Sequence, residues 1–284
     1  MSEATAAPAP RGEQIAPRIW VFSSPGFRVN TGLVVGDERA LLIDTGSGPR
    51  QAAALLAAVR EVTDLPLTVV NTHAHFDHFF GNAFFAAEGT AEDFWATAAA
   101  AAAMGEHGEE QRTHVADAEP EMAADAGPHT AIRVPNRLVE DAPVDLDLGG
   151  ITATLFHLGR GHTGHDLLIG AGEVLFTGDL VEEGADPAFE DSFPKEWIRT
   201  LGKMVALEDL YTVFVPGHGD PVELDFVTTQ MNKMRTAVTV TRSAMDQAST
   251  DVTKAVPILP YGPVQSRALL NRLRTLAQWK WLRT

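Results

Sequence analysis

From residue 19 onward, short apolar runs are broken at regular intervals by Gly, Asp and Pro. Ile19-Trp20-Val21-Phe22 carries the β-branched and aromatic side chains that suit a strand. Residues 32–44 read as two strands folded about a Gly36-Asp37 turn. Residues 51–61 place Leu55, Leu56 and Val59 on one side of a helix. The run Leu65-Pro66-Leu67-Thr68-Val69-Val70 then predicts another strand. This strand–helix–strand order is the alternation expected when helices cover a sheet.

Residues 92–104 are rich in strong helix formers and predict a helix. The acidic stretch after them, 105–135, is interrupted by Pro120, Gly127, Pro128 and Pro135. Residues 91–135 are therefore expected to form an insertion over the surface or a lid. Strands return at 151–156, 166–169, 174–176 and 212–215, with a helix at 197–207. Residues 223–284 are expected to hold C-terminal helices, at 226–245 and 266–281. Residues 1–14, rich in Ala and Pro, read as a disordered tail. No charge shift, linker or repeat divides the remainder, so 15–284 is expected to be a single domain.

Composition narrows the function. With 38 acidic against 22 basic residues in 284, the formal charge is −16. Nucleic-acid binding needs basic surface to displace counterions, and docking on anionic membrane needs it too, so neither partner is expected. Cysteine is absent, which excludes disulfides, thiolate zinc sites, iron–sulfur clusters and a cysteine nucleophile. The first residues lack the basic start and apolar core of a secretory signal. No apolar run approaches the roughly 20 residues of a membrane span. The expected location is the cytoplasm and the expected partner a small-molecule substrate, with assembly into a homo-oligomer left open.

The chemistry is concentrated at strand ends. Directly after Val70 comes Asn71-Thr72-His73-Ala74-His75-Phe76-Asp77-His78, three histidines and an aspartate within six positions. Imidazole and carboxylate bind borderline divalent metals at neutral pH, and ordinary cores rarely cluster them. Three later strand ends add Gly161-His162-Thr163, Thr177-Gly178-Asp179 and Pro216-Gly217-His218. In each, glycine lets the backbone bend close to a ligand site. Six or seven N/O ligands exceed what one tetrahedral zinc with an open position takes, so two ions are the natural count.

In order and spacing these motifs resemble those of the metallo-β-lactamase superfamily, and Leu42-Ile43-Asp44-Thr45-Gly46 resembles its first motif. The resemblance runs from about residue 19 to 219. It implies an α/β (α+β) fold, a four-layer αββα sandwich with the metals at one sheet edge. It also implies that His73, His75 and His162 bind one ion, that Asp77, His78 and His218 bind the other, and that Asp179 bridges both. Asp44 would orient a ligand histidine by accepting its other ring proton. Zinc is the expected metal, and the thiolate-free ligand set also suits iron or manganese.

The implied reaction is hydrolysis of a small ester, thioester, lactone or amide. A hydroxide shared by the metals would attack the carbonyl, and Asp77 would orient it and shuttle a proton. Among similar families, β-lactamases that use a Cys ligand are excluded by composition; β-lactamase-type amide hydrolysis remains as a minor activity. Glyoxalase II shares the ligand set, but its basic and Tyr glutathione contacts are not evident here. The alternative of another class is a mononuclear iron oxidoreductase resembling persulfide dioxygenases. His165, Phe189, Phe193 and Trp197 are candidates for the pocket wall. His107, His114 and His129 are expected to be surface histidines, and Arg160 to sit in a surface ion pair.

Overall fold

The computed structural model describes residues 9–25, 28–246 and 259–281. Strands β1 (Arg11–Ala16), β2 (Ile19–Ser23), β3 (Asn30–Val35) and β4 (Ala40–Ile43) come first. Helix α1 (Pro49–Arg60) leads to β5 (Leu67–Val70), short helices α2 (Phe76–Phe79) and α3 (Asn82–Ala87), and β6 (Ala91–Thr97). Helices α4 (Ala98–Gln111) and α5 (Pro120–Ala123) precede β7 (Arg137–Val139). The second half holds β8 (Val144–Asp147), β9 (Thr152–Phe156), β10 (Leu168–Ala171) and β11 (Val174–Glu182). Helix α6 (Pro194–Val205), β12 (Val213–His218), α7 (Leu224–Asp246) and α8 (Pro263–Trp281) complete it.

These strands form two mixed sheets. The seven-stranded sheet runs β1 to β7 in chain order, and the five-stranded sheet runs β12-β11-β10-β9-β8. Neighbouring residues on one strand point to opposite faces, and here that alternation builds four layers. Val34, Ile43 and Val70 face inward and meet Ile169, Phe176 and Val215 of the other sheet. Leu33, Leu42 and Val69 face outward onto Ala52, Leu55 and Val59 of α1. On the far side, Leu168, Leu175 and Phe214 face Trp197 and Leu201 of α6, Val227 and Met234 of α7, and Leu269 and Leu273 of α8. The αββα sandwich implied by the motifs is thus present.

Three expectations need correction. Residues 11–14 belong to β1, whose partner is β2 with Arg11 opposite Ser23, so the tail does not reach Gln14; residues 1–8 lie outside the described residues. Residues 91–97 are not part of a helix or an insertion. They form β6 between β5 and β7, with Phe94 and Ala96 fully buried. The helix starts only at Ala98, where the Thr97 hydroxyl caps it by accepting from the Ala100 N–H at 3.0 Å. The strand expected at 174–176 continues to Glu182 through an irregular step at Gly178.

The segment after β6 packs under the 71–78 loop as a buttress. Ala74, Phe79 and Phe80 share a small core with Ala100, Met104, Val115 and Met122. Gln111 holds the loop backbone, accepting from Phe76 N at 2.8 Å and donating to Ala74 O at 3.0 Å. No helix among the described residues is long and apolar enough to cross a membrane.

Candidate metal centre

The centre sits at the ends of β4, β5 and β12, beside β11 and the turn before β10. β4 is followed by Asp44, a non-glycine residue at φ +66. L-residues rarely adopt that conformation and hold it only where surrounding contacts fix it. Here the contacts are explicit. Asp44 accepts from Thr72 N at 2.8 Å and from the Thr72 hydroxyl at 2.8 Å. Its Oδ2 also lies 2.8 Å from His78 Nδ1. The Asp44 carboxylate thus sits against the ring nitrogen of His78 and the backbone and hydroxyl of Thr72 together.

After β5, Asn71 braces the loop by donating to His78 O at 2.9 Å. His73 is buried, and its Nδ1 lies 3.0 Å from the Thr72 hydroxyl. His75 immediately precedes α2, which carries Asp77 and His78. From the second sheet, the turn before β10 presents His162. Its neighbour Thr163 is wrapped by the Asp166 carboxylate, which accepts from Thr163 N at 2.9 Å. β11 supplies Asp179 just after Gly178 at φ +50, and β12 ends in Gly217 and His218.

Two groups of side-chain atoms converge: His73, His75, His162 and Asp179 in one, Asp77, His78 and His218 in the other. In the first, His75 Nδ1 lies 3.0 Å from His73 Nε2 and 3.0 Å from His162 Nε2. Asp179 Oδ2 is 3.6 Å from His73 Nε2 and 3.5 Å from His162 Nε2. In the second, His218 Nε2 is 3.3 Å from Asp77 Oδ2. Asp179 also faces this group, with Oδ1 3.4 Å from His78 Nε2 and Oδ2 3.6 Å from His218 Nε2. All seven candidate ligands are brought together, with Asp179 between the groups.

Whether a cation fits can be read from the lone pairs. The Thr72 hydroxyl donates to Asp44, so it takes the His73 Nδ1 proton and leaves His73 Nε2 as a bare acceptor. His75 Nε2 lies 3.0 Å from Asp191 Oδ2, which takes its ring proton and leaves Nδ1 bare as well. In the neutral ring two such acceptors face each other at 3.0 Å and repel unless a metal ion, or a second proton on His75, lies between them. His78 Nε2 and Asp179 Oδ1 are buried with no hydrogen-bond partner. Ligands about 2.1 Å from a tetrahedral zinc lie about 3.4 Å from each other, close to the spacings found. The residues fit divalent metal.

Protonation does not divide by group: in the first, burial opposes charge on His75, but the Asp191 carboxylate outweighs it and raises His75 above the ordinary histidine value. Burial, with His78 beside it, holds His73 well below the ordinary histidine value. Burial likewise takes His162 down to about 4. For His218 burial opposes charge, but the Asp179 and Asp77 carboxylates outweigh it and push the group up to about 12. The buried carboxylates thus demand positive charge, which protons or metal ions can supply.

Each of four candidate ligand imidazoles has an oxygen behind it. His73 has Thr72, His78 has Asp44, His75 has Asp191, and His162 Nδ1 faces Glu182 Oε1 at 3.5 Å. Asp191 and Glu182 were not among the residues expected from sequence. Glu182 reaches the centre because β11 continues three residues past Asp179, and Asp191 because α8 holds the segment between β11 and α6.

The pocket candidates separate. His165 is not in either converging group; it lines a cleft of roughly 270 Å³ with Gly164, Arg160, His157 and Thr97. Phe189 and Trp197 are fully buried, so they are core rather than pocket wall. Trp197 instead supports His162, with ring centroids 5.4 Å apart, and donates Nε1–H to Leu180 O at 2.9 Å. Phe193 is half-buried, with the Arg160 and Arg272 guanidiniums 4.3 and 5.1 Å from its ring centroid. Among the other histidines, His107 is exposed, while His114 stacks on Phe76 at 5.4 Å and His129 packs on Phe84. Arg160 does reach an acidic partner, Glu196, at 3.8 Å.

Comparison with known proteins agrees with this architecture. The chain is 32% identical to acyl-coenzyme A thioesterase MBLAC2 of Gallus gallus over 216 residues, covering 69% of this chain and 74% of that one. It is 30% identical to the Bos taurus protein of the same name, covering 69% and 75%. The structure resembles that of DIM-1 metallo-beta-lactamase with a TM-score of 0.64 at 18% identity, covering 81% of this chain and 99% of that one. A metallo-beta-lactamase from Pontibacter korlensis gives 0.63 at 19%, covering 80% and 99%. At those identities the two structures speak for the fold alone. The family model described as metallo-beta-lactamase superfamily matches residues 24–218, and the chain belongs to that superfamily.

Proposed function

We propose that this protein hydrolyses a thioester at a dinuclear zinc centre. That the chain is a metal-dependent hydrolase of its superfamily follows from its family and its thioesterase relatives. The observation that carries the dinuclear reading is Asp179, whose two oxygens face both groups of converging ligands. In this reading His73, His75 and His162 hold one ion, Asp77, His78 and His218 the other, and Asp179 both. The ions would supply Lewis acidity and a water acidified to near neutral pH.

The remaining work belongs to the chain. Asp77 is buried, and its carboxylate faces His218 at 3.3 Å and His78 at 3.8 Å, so it can orient the attacking water and accept its proton. Water adds to the carbonyl carbon, the carbon–sulfur bond breaks, and the proton held by Asp77 goes to the departing thiolate. An anionic leaving group such as a coenzyme A thiolate would meet an overall charge of −16. Arg160 and Arg272 around Phe193 offset this locally. The alternative ester, lactone and amide substrates share the same attack and differ in the leaving atom.

Metal analysis and a substrate panel test this together. Two zinc per chain, with turnover of acyl thioesters well above that of lactones, esters and β-lactams, is expected. One iron per chain with oxygen consumption would overturn the reading. Two zinc with a preference for lactones would keep the centre and refute the substrate.

A further inference from the structure

His75 is oriented by a residue 116 positions away in the chain. His75 is the most exposed of the three imidazoles in its group, with a side chain 28% exposed against 1% for His73 and 2% for His162. Packing fixes the other two. His75 is held instead by the Asp191 carboxylate, 3.0 Å from Nε2, across 116 residues of sequence.

Asp191 lies on the segment between β11 and α6, and α8 splints that segment. Arg272 donates from Nη2 to Asp191 O at 2.7 Å and from Nε to Ser192 O. Gln265 accepts from Phe189 N at 3.2 Å and donates to Glu190 at 3.3 Å. At the other end Phe193 N donates to Gly161 O at 2.8 Å, next to His162. Asp191 therefore stands between two fastened ends, one on α8 and one on the His162 turn.

We infer that Asp191 is a positioning residue for the metal centre, and that Arg272 of α8 holds Asp191 where it can do this. The carboxylate takes the Nε2 proton of His75, so that the Nδ1 lone pair faces the other ligands. A metal-bound histidine needs such an acceptor on its second nitrogen to keep one tautomer and one ring orientation. Arg272 acts through the backbone: its two hydrogen bonds fix the carbonyls of Asp191 and Ser192, in the two peptides that flank Ser192, and its guanidinium packs on Phe193. The C-terminal helix thereby becomes part of the metal site although it carries no ligand. The inference rests on the metal reading of the centre and not on the identity of the substrate.

The test uses full-length protein loaded with zinc, and separately with cobalt(II), whose absorption reports ligand geometry. Asp191→Ala should lose metal to a competing chelator about 10 to 100 times more readily than the parent. Its cobalt spectrum should change, while the melting temperature of the metal-free protein stays the same, since the Asp191 side chain is 58% exposed. Arg272→Ala should shift metal retention in the same direction, and the double variant should be no worse than Asp191→Ala alone, because both changes act on one contact. Arg272→Lys should rescue part of the loss. Parent-like metal retention and spectrum in Asp191→Ala would overturn the inference and leave the metal centre standing. Additive losses in the double variant would separate Arg272 from Asp191. A parent that binds neither zinc nor cobalt would refute the metal centre itself, and this inference with it.

Discussion

Gly217 leaves the space that Asp179 Oδ1 occupies: a Cβ at position 217 would overlap that oxygen and stand 3.0 Å from His78 Cε1. The glycine is required by this close approach, since it is not one of the glycines with positive φ. Asp179 cannot swing aside, because its oxygens also face His73, His162 and His218. Gly217→Ala is therefore expected to displace the carboxylate and lower the metal content of the purified protein. Hydrolysis should fall at least about 100-fold, with overpacking costing about 1–3 kcal/mol of stability. Metal content by elemental analysis, read beside the melting curve, checks it. A fully loaded, fully active Gly217→Ala protein would remove Asp179 from the centre.

Asp44 makes a sharper case because its backbone and its side chain do different work. Asparagine tolerates the φ of +66 better than most residues, so Asp44→Asn should keep the fold. One oxygen becomes an amide donor, and either Thr72 or His78 then loses its acceptor. Metal affinity should drop about 10 to 100 times. Asp44→Ala should lose the same affinity and unfold at lower denaturant as well, from the strained backbone. Chelator competition and urea titration of the pair separate the two contributions.

The ligands were legible in the sequence for a physical reason. His73 to His78, His162 and His218 lie at or just beyond strand ends and Asp179 beside the irregular step at Gly178, so their short motifs stand out in the sequence and carry the family resemblance. The inward and outward alternation of Val34 with Leu33, or Phe176 with Leu175, likewise follows from strand periodicity. β6 was hidden because Ala91-Glu92-Asp93-Phe94-Trp95-Ala96-Thr97 runs into an alanine-rich helix, and its place between two parallel strands decides the strand. Asp191 was hidden because its place behind His75 is set by tertiary packing, and Glu182 because the strand carrying it runs on past Gly178 to Glu182. Phe189 and Trp197 follow the Asp179 motif in sequence, yet hydrophobicity takes them into the core.

His165 gives a pH dependence whose sign can be worked out. Burial takes this imidazole down to about 4, while in the unfolded chain it titrates near 6.5. Between those values the unfolded chain binds a proton that the folded chain does not. Stability from this group is therefore complete above about pH 6.5 and declines as the pH falls toward 4, by on the order of 1–3 kcal/mol after screening. Asp166 works in the opposite sense, since burial pushes it up to about 7. The comparison must therefore be made between variants. His165→Gln should lose less stability than the parent on going from about pH 6.5 to 4.5, measured by urea midpoints. Parallel profiles would show that His165 titrates normally.

Glu119 tests how firmly the segment after β6 is held. Helix α1 begins at Gly48 with no side-chain cap of its own. Its first free N–H groups are met by Glu119, with Oε2 3.0 Å from Arg50 N and Oε1 2.7 Å from Gln51 N. Burial raises the Glu119 carboxyl, and the two N–H groups counter that by favouring its charged form. Glu119→Ala should cost about 1–2 kcal/mol, as loss of a buried cap does. Glu119→Gln, which keeps one good acceptor, should cost less. Because α1 follows directly on Asp44-Thr45-Gly46, the alanine variant should also raise hydrogen exchange at the Thr45 amide, which bonds His78 O at 2.9 Å. Exchange that rises in α5 but not at Thr45 would mean that the cap secures the segment and leaves the metal loop untouched.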